Sequence, residues 1–542
     1  MKSSIKKIML INVPVTRPKD FSADVLRVSI FFPLGLAYIA ATLESVGKYK
    51  IKVIDALAQR DLSRSIPING GESLRYGLTN DEVAQEIIDY SPDVIGISCL
   101  FSATQWDMAN VFRIAKEIDK DIITVAGGAD AGANAKSIID NFPHIDFVVI
   151  GEGEETITRL LEAISNKTRL SELNGIAFRE NGRTQLIPKS NYIDDLDTVS
   201  FPARHMFNMD SYLSKAMAHS TFKRTPFTQM VTSRGCPLKC TFCALGNHWG
   251  KRQRLRSAKN VLSEIEELIS VYGIKEIHFE DDNLTADKTR AAEIFDGIVE
   301  RGYDIVWNLP SGIAVYTLDD EILEKMKASG CYSVSLAIES GNRMVLDKLM
   351  KKPVNLKLIP KLVKKIRELG MDARGFFIIG YPGETKETIR ETIEFAKSLE
   401  LDWTYFFMAT PLPHTEMWKI CIKNGYINEE DFDPIRSYNK AVIRTPEFDP
   451  EYIMRTREEA IIDLNFKNNP NLEKYDINKA IADFNDVVTK YPNFDFANYY
   501  LGEAYLKKGD KDMAIQAYKN TLKANKLHHD AMQRLKEQGI DV

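Results

Sequence analysis

From Lys7 to Ile164, short apolar runs alternate with amphipathic stretches. The apolar runs have the length of strands and lie at residues 8–11, 51–54, 94–97, 122–125 and 147–150. Helical patterns separate them, for example over residues 34–46. A second helix is predicted over residues 81–90, because Thr79 and Glu82 have the spacing of a capping box at its start. This alternation of strands and helices predicts a doubly wound parallel sheet.

Ligands of such sheets bind beyond the carboxyl ends of the strands, where small side chains permit close approach. At these ends the chain carries Asp55, Ser98, Gly127, Gly128, Gly151, Glu152 and Gly153. Glycines after strands are equally typical of ordinary turns, and these residues alone favour the turn interpretation. A binding role therefore depends on the rest of the chain.

Residues 166–228 lose the alternation and contain Pro188, Pro202 and Pro226, which predicts a small extension followed by a linker. A second alternating series begins after them. Its strand-like runs lie at residues 229–232, 274–279, 305–307, 334–338, 375–379 and 404–408. A helical stretch separates each pair, so six such units predict a parallel, partly closed (β/α)6 barrel.

Beyond residue 446 the strand pattern ends and the sequence becomes helical. It contains an internal repeat whose members Ala480, Phe484, Val488, Ala497 and Leu501 recur 34 positions later as Ala514, Tyr518, Leu522, Ala531 and Leu535. This period is typical of tetratricopeptide helix pairs, and a plain helical bundle is the alternative. Two repeats are too few for independent stability, so we expect them to pack against the barrel, another chain or a degenerate repeat. The predicted domains are 1–170, 171–228, 229–446 and 447–542.

Composition limits the function classes. The 542 residues are 44% hydrophobic and 27% charged, with a net charge of -5, which fits folded domains and gives no sign of a nucleic-acid binding surface. Residues 1–10 lack the apolar stretch of a secretory signal, and no early apolar run approaches the ~20 residues that cross a bilayer. We therefore expect a cytoplasmic protein without a transmembrane segment.

Six cysteines are too sparse for a disulfide scaffold, and three of them are clustered as Cys236, Cys240 and Cys243. They follow the first predicted barrel strand, on the catalytic face of such a barrel. Thiolates at this spacing can bind three corners of an iron–sulfur cube and leave one iron open. A structural zinc site with His248 as fourth ligand is the alternative, although no second ligand pair accompanies it. The remaining cysteines are isolated in apolar surroundings and receive no role: Cys99, Cys331 and Cys421.

The cysteine spacing, with the aromatic Phe242 directly before the third cysteine, resembles the signature of radical S-adenosylmethionine (SAM) enzymes. In that family a 4Fe–4S cluster binds SAM through its open iron, and SAM is cleaved to a deoxyadenosyl radical. Three further segments match in the expected order, each at the end of a barrel strand: residues 279–283, 336–341 and 379–384. The resemblance implies a partial TIM-type barrel. It covers residues 5–445, which include the sheet that precedes the barrel.

The resemblance also implies a set of SAM-binding residues. They are Phe242, Glu280, Asp281, Asp282, Glu339, Ser340, Gly380 and Pro382. One acid of the first segment would hold an ammonium group, and the choice among the three stays open. The acid and the serine of the second segment would lie near the ribose, and the glycine and proline of the third near the adenine. Carboxylates complement ammonium and hydroxyl groups, and small residues admit a flat ring.

The sheet before the barrel is similar to the cobalamin-binding subgroup of the family, which implies a Rossmann-like, cobalamin-binding fold. The implied cobalamin-binding residues are Ser98, Gly127, Gly128, Gly151, Glu152 and Gly153. There is no Asp-X-His-X-X-Gly motif to supply a histidine to cobalt, and Ala129 follows the glycine pair where a histidine could stand. His144, in the sheet region, looks incidental. The cobalt would therefore lack a lower ligand from a motif.

Together the two cofactor sites imply methyl transfer to an unactivated carbon of a small-molecule, lipid or tetrapyrrole-type substrate. One SAM would supply the radical and a second would remethylate the cobalamin, so sheet and barrel would face a shared cavity. Radical cyclisation or rearrangement is an alternative within the family. A helical-repeat scaffold with a structural metal is an alternative from another class, and it predicts that loss of the cysteines leaves activity intact.

The implied partners are a reductase, flavodoxin or ferredoxin as electron donor, and a protein bound by the helical repeats. An apolar substrate pocket could form where the sixth barrel strand ends, at Trp403, Tyr405, Phe406, Phe407 and Met408. Packing of these side chains against the repeat tail is the alternative. His414 follows two prolines and is more typical of a turn than of a proton donor.

Overall fold

The structure is a computed structural model that describes residues 5–19, 31–60, 65–213, 222–428, 430, 432 and 440–541. Residues 214–221 of the predicted linker therefore lie outside the described residues. The chain forms a seven-stranded sheet, a six-stranded open barrel and a helical tail, in that order. Among the described residues there is no helix with the length and apolar character needed to cross a bilayer.

The strands carry the two ligand-binding parts of the molecule. In chain order they are β1 (Lys7–Asn12), β2 (Val15–Pro18), β3 (Lys50–Asp55), β4 (Ile66–Ile68), β5 (Ser73–Tyr76), β6 (Val94–Ser98), β7 (Ile123–Gly127), β8 (Phe147–Val149), β9 (Ile176–Glu180), β10 (Arg183–Ile187), β11 (Phe227–Met230), β12 (Ser233–Arg234), β13 (Arg254–Leu255), β14 (Glu276–Phe279), β15 (Val306–Asn308), β16 (Cys331–Glu339), β17 (Asp372–Ile379) and β18 (Trp403–Met408).

The helices connect these strands and build the tail. In chain order they are α1 (Leu34–Ser45), α2 (Asn80–Tyr90), α3 (Gln105–Ile118), α4 (Ala129–Ala133), α5 (Ala135–Asn141), α6 (Glu154–Asn166), α7 (Asp210–Leu213), α8 (Gly246–Trp249), α9 (Ala258–Tyr272), α10 (Lys288–Glu300), α11 (Asp320–Ala328), α12 (Ile359–Glu368), α13 (Lys386–Ser398), α14 (Glu416–Lys423), α15 (Pro450–Ile462), α16 (Pro470–Glu473), α17 (Ile477–Lys490), α18 (Asp495–Lys508), α19 (Lys511–Ala524) and α20 (His529–Glu537).

The first sheet has the strand order β10-β9-β8-β7-β6-β1-β3. Five neighbouring strands of this sheet, β3, β1, β6, β7 and β8, are parallel, which confirms the predicted doubly wound sheet. The strand order reverses between β1 and β6, and ligands of open α/β sheets bind at such a switch point. The predicted capping box is also present, because the Thr79 hydroxyl accepts a hydrogen bond from the Glu82 amide at 3.2 Å.

The sheet continues past residue 170, where the first domain was predicted to end. Strands β9 and β10 form a hairpin that pairs antiparallel with β8, with Phe178 opposite Phe147. The predicted extension after residue 170 is therefore an edge of the first sheet. Its outer strand is largely exposed, which explains why it lacks the apolar run of a central strand.

The second sheet contains the six predicted parallel strands in the order β11-β14-β15-β16-β17-β18. Strands β11 and β18 are its two edges, so the barrel is open on one side. Helices α9 to α13 bury their apolar faces on the outside of this sheet in one continuous core. The predicted partial barrel is confirmed, and its carboxyl edge faces the loop of the clustered cysteines.

The tail is helical, and its helices repeat with the predicted period. Helices α17 and α19 begin at residues 477 and 511, and helices α18 and α20 at residues 495 and 529, 34 positions apart in each pair. The tail packs against the start of β18, where Asn465 bonds the backbone amide of Thr404 at 2.8 Å and its carbonyl at 2.7 Å. Lys479 of α17 pairs with Asp402 at 2.6 Å, beside these bonds. The two repeats therefore pack against the barrel, as expected.

Candidate functional site

The loop of clustered cysteines leaves the barrel after β11 through a sharp turn. Strands β12 and β13 pair antiparallel at its base, so residues 235–253 form a closed flap. Gly235 sits at the turn with a φ of 87°, and a side chain there would meet the Arg252 carbonyl oxygen at 2.7 Å. Glycine is therefore required immediately before the first cysteine.

Cys236, Cys240 and Cys243 are free thiols on this flap, and the first two are partly exposed and the third exposed. Partial burial raises the pKa of Cys240 to about 12 and raises the pKa of Cys236 above its usual value. A bound metal cluster would favour the thiolate forms of these residues. Within the described residues, no three ligand side chains converge on a position for a single metal ion.

A buried ion pair lies beside the cysteines. Lys352 is 8% exposed, and its ammonium pairs with the Glu339 carboxylate at 2.5 Å and lies 6.0 Å from the Phe242 ring centroid. The charges of Glu339 and Cys240 raise the pKa of Lys352 although its burial acts to lower it. The structure therefore brings Phe242 and Glu339 together at the flap. Lys352 was not predicted, because it follows a short helix without any recognisable motif.

The three acids after β14 have different surroundings. Asp281 is fully buried and accepts hydrogen bonds from the Thr232 amide and the Ser233 hydroxyl, so it supports the base of the flap from inside. Asp282 accepts a bond from the Gly235 amide at 3.1 Å. Burial raises the pKa of Asp282 to about 7, and its charge acts on Cys236 and Cys243. Among these three acids, Asp282 is thus the one whose charge acts on the clustered cysteines.

Glu280, the first of these acids, accepts a hydrogen bond from the Ser311 hydroxyl at 3.0 Å. Burial raises the pKa of Glu280 to about 7. Ser311 follows β15, so this contact joins two neighbouring strand ends at the carboxyl edge of the barrel. Glu280 and Asp282 therefore remain candidates for an ammonium group, whereas Asp281 is committed to the fold.

The remaining predicted SAM residues are occupied by packing. The Ser340 hydroxyl contacts the Thr392 hydroxyl at 2.9 Å and accepts a bond from the Asn342 amide at 3.1 Å, so it faces α13. Gly380 has a φ of 81°, and a side chain there would lie 3.1 Å from Ile453 of α15. Pro382 is buried in the same turn. These contacts do not support the predicted ribose role of Ser340, and the adenine role of Gly380 and Pro382 stays a prediction.

A cavity of about 220 Å³ opens between the first sheet and the flap, at the switch point of the sheet. All six predicted cobalamin residues line it: Ser98, Gly127, Gly128, Gly151, Glu152 and Gly153. Apolar side chains of β1, β6 and α1 form its walls, and Trp249 of the flap lines the opposite side. The glycines leave room at the strand ends, so the residues fit the part of a cobalamin that enters the sheet.

Glu152 lines this cavity, but its carboxylate is fully engaged. It accepts hydrogen bonds from Arg234 at 2.9 Å, from Arg254 at 2.6 Å and from the Ile193 amide at 2.9 Å. Arg234 also pairs with Glu154 at 2.5 Å, and both acids are buried. The Glu152 carboxylate therefore links the first sheet to the base of the flap, and the cobalamin-binding role of Glu152 stays a prediction.

The flap also brings His248 to the cavity. Burial and the charge of Arg234 lower the pKa of His248 to about 4, so the imidazole is neutral near pH 7. The charges of Arg234, Glu154, Glu152 and Arg254 act on His248, and the first three of these residues line the same cavity as His248 does. The geometry thus places the candidate fourth zinc ligand in the wall of the cavity. His144 precedes β8, so it lies near the amino end of that strand, whereas the cavity lies at the carboxyl ends of the strands.

The aromatic run of β18 divides between two faces, as the two-residue period of a strand requires. Tyr405 and Phe407 face a cavity inside the barrel. Phe406 is buried behind them and stacks on Phe377, and Trp403 packs on Phe466 of the tail. The run therefore contributes to a cavity and to packing against the tail, and a substrate role of the cavity stays a prediction. His414 lies in a turn and contacts the Asn134 side chain of the first sheet at 3.1 Å.

We expect Gly128→Ala to release cobalamin. Gly128 has a φ of 97°, and a side chain there would lie 2.6 Å from the Cys99 carbonyl oxygen, so the loop must move out of the cavity wall. The measurement is the corrinoid absorbance that stays with the protein after desalting. Gly182→Ala is the matched control, because Gly182 also has a positive φ but its side chain would meet nothing within 4 Å. Equal retention by both variants would contradict the proposed role of the Gly128 loop.

Two protein families match consecutive parts of the chain. The B12 binding domain matches residues 26–161, and the radical SAM superfamily matches residues 230–396. These ranges coincide with the first sheet and the barrel, which contain the two sites described above. The resemblance to radical SAM enzymes is therefore confirmed for the barrel, and the resemblance to cobalamin-binding proteins is confirmed for the first sheet.

Individual relatives extend this match. Cytidylyl-2-hydroxyethylphosphonate methyltransferase of Streptomyces wedmorensis is 34% identical over 470 residues, which cover 81% of this chain and 86% of that protein. Anaerobic magnesium-protoporphyrin IX monomethyl ester cyclase of Rubrivivax gelatinosus is 25% identical, over 71% of this chain and 66% of that protein. The fold resembles the radical SAM methyltransferase TsrM of Kitasatospora setae, solved with cobalamin and a [4Fe-4S] cluster, with a TM-score of 0.63 and 16% identity over 95% and 99% of the two chains.

The order of the parts, the flap with its three free thiols and the glycine-lined cavity agree with these matches. The chain is an enzyme whose cofactors are a 4Fe–4S cluster, SAM and cobalamin, as predicted. The scaffold with a structural metal is set aside as its main function. The chain belongs to the cobalamin-binding radical SAM enzymes.

Proposed function

We propose that this enzyme transfers a methyl group to an unactivated carbon of a small-molecule substrate. The observation that carries the proposal is the position of the flap. It holds Cys236, Cys240 and Cys243 above the barrel, and it also supplies His248 and Trp249 to the wall of the glycine-lined cavity. One segment of 19 residues, 235–253, thus borders both cofactor sites.

When bound, the cluster and SAM supply a radical that removes hydrogen from carbon, and cobalamin supplies the methyl group. The residues of the chain orient these groups. Asp282 and Glu280 offer carboxylates to the ammonium of SAM at the carboxyl edge of the barrel. Glu339 holds the Lys352 ammonium beside Cys240 and Phe242. The charge of Lys352 acts to lower the pKa of Cys240, whereas the charge of Glu339 acts to raise it.

The Streptomyces wedmorensis relative, named a methyltransferase and 34% identical to this chain, supports methyl transfer. The Rubrivivax gelatinosus relative is named a cyclase, which supports radical cyclisation as a second candidate. We further propose that the 34-residue helical repeats are tetratricopeptide-like and bind a protein partner. An electron donor of the flavodoxin or ferredoxin type and a cytoplasmic location complete the proposal.

The products of SAM distinguish methyl transfer from cyclisation. With deuteromethyl SAM, a reductant, cobalamin and the true substrate, we expect S-adenosylhomocysteine and deoxyadenosine in equal amounts, together with a deuteromethylated product. One SAM loses its methyl group and the other its adenosyl radical, which explains the ratio. Mass spectrometry measures all three species. Substrate-dependent deoxyadenosine without S-adenosylhomocysteine would contradict methyl transfer and favour cyclisation.

A further inference from the structure

The barrel encloses a second cavity of about 620 Å³ that none of the predicted cofactor residues lines. We call it the barrel cavity, and its lining residues are Asn308, Leu309, Pro310, Ser311, Ser333, Ser335, Arg374, Phe376, Tyr405 and Phe407. Its volume lies within the ~300–1,000 Å³ that small-molecule sites occupy. The barrel cavity is thus large enough for a substrate beside the cofactors.

Arg374 is the one charged residue of this lining. It is 7% exposed, and its Nε has no hydrogen-bond partner in the described part of the chain. Its other nitrogens contact the Tyr405 hydroxyl at 3.2 Å and the Asp372 carboxylate at 3.4 Å. The Nε is itself enclosed by protein, so the guanidinium is buried with incomplete hydrogen bonds, which is unfavourable unless its charge is compensated. An anion in the barrel cavity that Arg374 lines would provide this compensation.

The acids behind Arg374 leave it positively charged. Asp372 pairs more closely with Lys479 of the tail, at 2.8 Å, than with Arg374. Asp483 of α17 also acts on Arg374, but burial raises the pKa of Asp483 to about 7, which reduces its negative charge near neutral pH. Neither acid lines the barrel cavity. Arg374 is thus the source of positive charge in the lining of the barrel cavity, and this charge favours a negatively charged ligand there.

The lining of the barrel cavity combines aromatic and hydroxyl-bearing residues. Phe376, Tyr405 and Phe407 form an aromatic wall, with Phe376 edge-on to both other rings at 5.3 and 5.6 Å. The neighbouring strand β16 and the loop after β15 contribute three serines to the lining, Ser311, Ser333 and Ser335. A lining that combines aromatic rings with hydroxyl-bearing residues suits a planar group with polar substituents.

Position along the strands gives the length of the ligand. Arg374 is the third residue of β17, whereas Ser311 contacts Glu280 at the catalytic edge. The six residues from Arg374 to Ile379, the end of β17, span roughly 16 Å. A ligand that reaches from the guanidinium to the catalytic edge is therefore elongated.

We propose that the barrel cavity binds an elongated substrate whose anionic group, a phosphate, phosphonate or carboxylate, is held by Arg374, with a planar group against the aromatic wall and the reacting carbon near Ser311. This inference rests on the proposed function only in calling the ligand the substrate. Arg374 acts as a specificity residue at the end of the substrate that does not react.

Binding of phenyl phosphate to the full chain tests the anion site, because this probe combines a planar ring with an anion. Isothermal titration calorimetry should show binding to the wild type and an affinity about 10- to 100-fold lower in R374Q, since a charge-assisted contact is lost. R374K should recover part of the affinity. R301Q is the matched control, because Arg301 is an exposed arginine outside the cavity, and it should bind as the wild type does.

Benzoate and benzyl alcohol extend the test. Tighter binding of phenyl phosphate than benzoate identifies a phosphate or phosphonate, the reverse identifies a carboxylate, and benzyl alcohol should bind weakest. Equal affinity of wild type and R374Q, or of the anions and benzyl alcohol, would overturn the proposal. S335A provides a second variant if R374Q does not fold, and unchanged affinity there would count against the cavity as the binding site.

The binding test is independent of the proposed reaction. It requires neither cluster nor SAM, so an anion site can be refuted while methyl transfer stands. Conversely, a failure to form S-adenosylhomocysteine would refute methyl transfer and leave probe binding at Arg374 unaffected.

Discussion

Cys240→Ala is expected to reduce SAM cleavage to background and to prevent assembly of the cluster. The wild type should bind about four irons per chain after anaerobic reconstitution. Cys240 is the central member of the three thiols on the flap, and an alanine leaves one corner of the cluster without a ligand. The measurements are iron and sulfide content and the formation of deoxyadenosine under reduction.

Cys331→Ala is the matched control for this loss. Cys331 is also a free cysteine, but it is buried at the start of β16, far along the strand from the flap. Its replacement removes one buried sulfur and costs about 1 kcal/mol of unfolding free energy. Full iron content and normal cleavage are expected for this variant. If Cys240→Ala kept its iron, or Cys331→Ala lost it, the assignment of the cluster ligands would be wrong.

Arg234→Met is expected to destabilise the junction of sheet and flap by about 3–5 kcal/mol, because it leaves the buried Glu154 carboxylate without its arginine and removes one of the two arginines that bind Glu152. Arg234 is 5% exposed and bonds both Glu152 and Glu154. The variant should also lose cobalamin, since the same residues border the glycine-lined cavity. Urea unfolding and corrinoid retention measure the two effects.

Arg224→Met is the control for the loss of an ion pair as such. Arg224 pairs with Asp304 at 2.7 Å on the surface, where such pairs contribute about 0–1 kcal/mol. A similar loss of unfolding free energy in both variants would show that the ion pairs of Arg234 stabilise the protein no more than a surface ion pair does.

The Arg234 effect should also depend on pH. Burial acts to raise the pKa of Glu154, but the charge of Arg234 outweighs it and holds the pKa below its usual value. A lowered carboxyl pKa stabilises the fold above the ordinary glutamate pKa of about 4.3, and this contribution is lost as the pH falls through the lowered value. The difference in unfolding free energy between the wild type and Arg234→Met should therefore become smaller as the pH is lowered.

The central strands could be predicted because each is a short apolar run between helical patterns. The β9–β10 hairpin was missed, although Asn181-Gly182 between Glu180 and Arg183 is a strong signal for a two-residue hairpin turn. Its outer strand is an exposed edge, so it shows no apolar run. The local pattern of apolar residues predicts a buried strand better than an edge strand. For this reason the predicted boundary at residue 170 lies before the last two strands of the first sheet.

The clustered cysteines could be predicted because neighbouring residues on one loop share a spacing. The pairs Arg234–Glu152 and Lys352–Glu339 could not, because each joins residues of different loops and no motif relates them. The missing hydrogen-bond partner of the Arg374 Nε could not be predicted either, because it depends on how the side chains around Arg374 pack and on the pairing of Asp372 with Lys479. Residues that position a site through distant contacts become visible only in the folded chain.

Because the flap borders both cofactor sites, we expect the loading of the two cofactors to be thermodynamically coupled. Residues 235–253 border both sites and are fixed to the first sheet by the Arg234 and Arg254 bonds to Glu152. Any ordering of this segment by the cluster changes the affinity for cobalamin by some factor, and cobalamin must change the stability of cluster binding by the same factor. The order in which the cell inserts them alters the path, whereas the total free energy of the loaded enzyme stays the same.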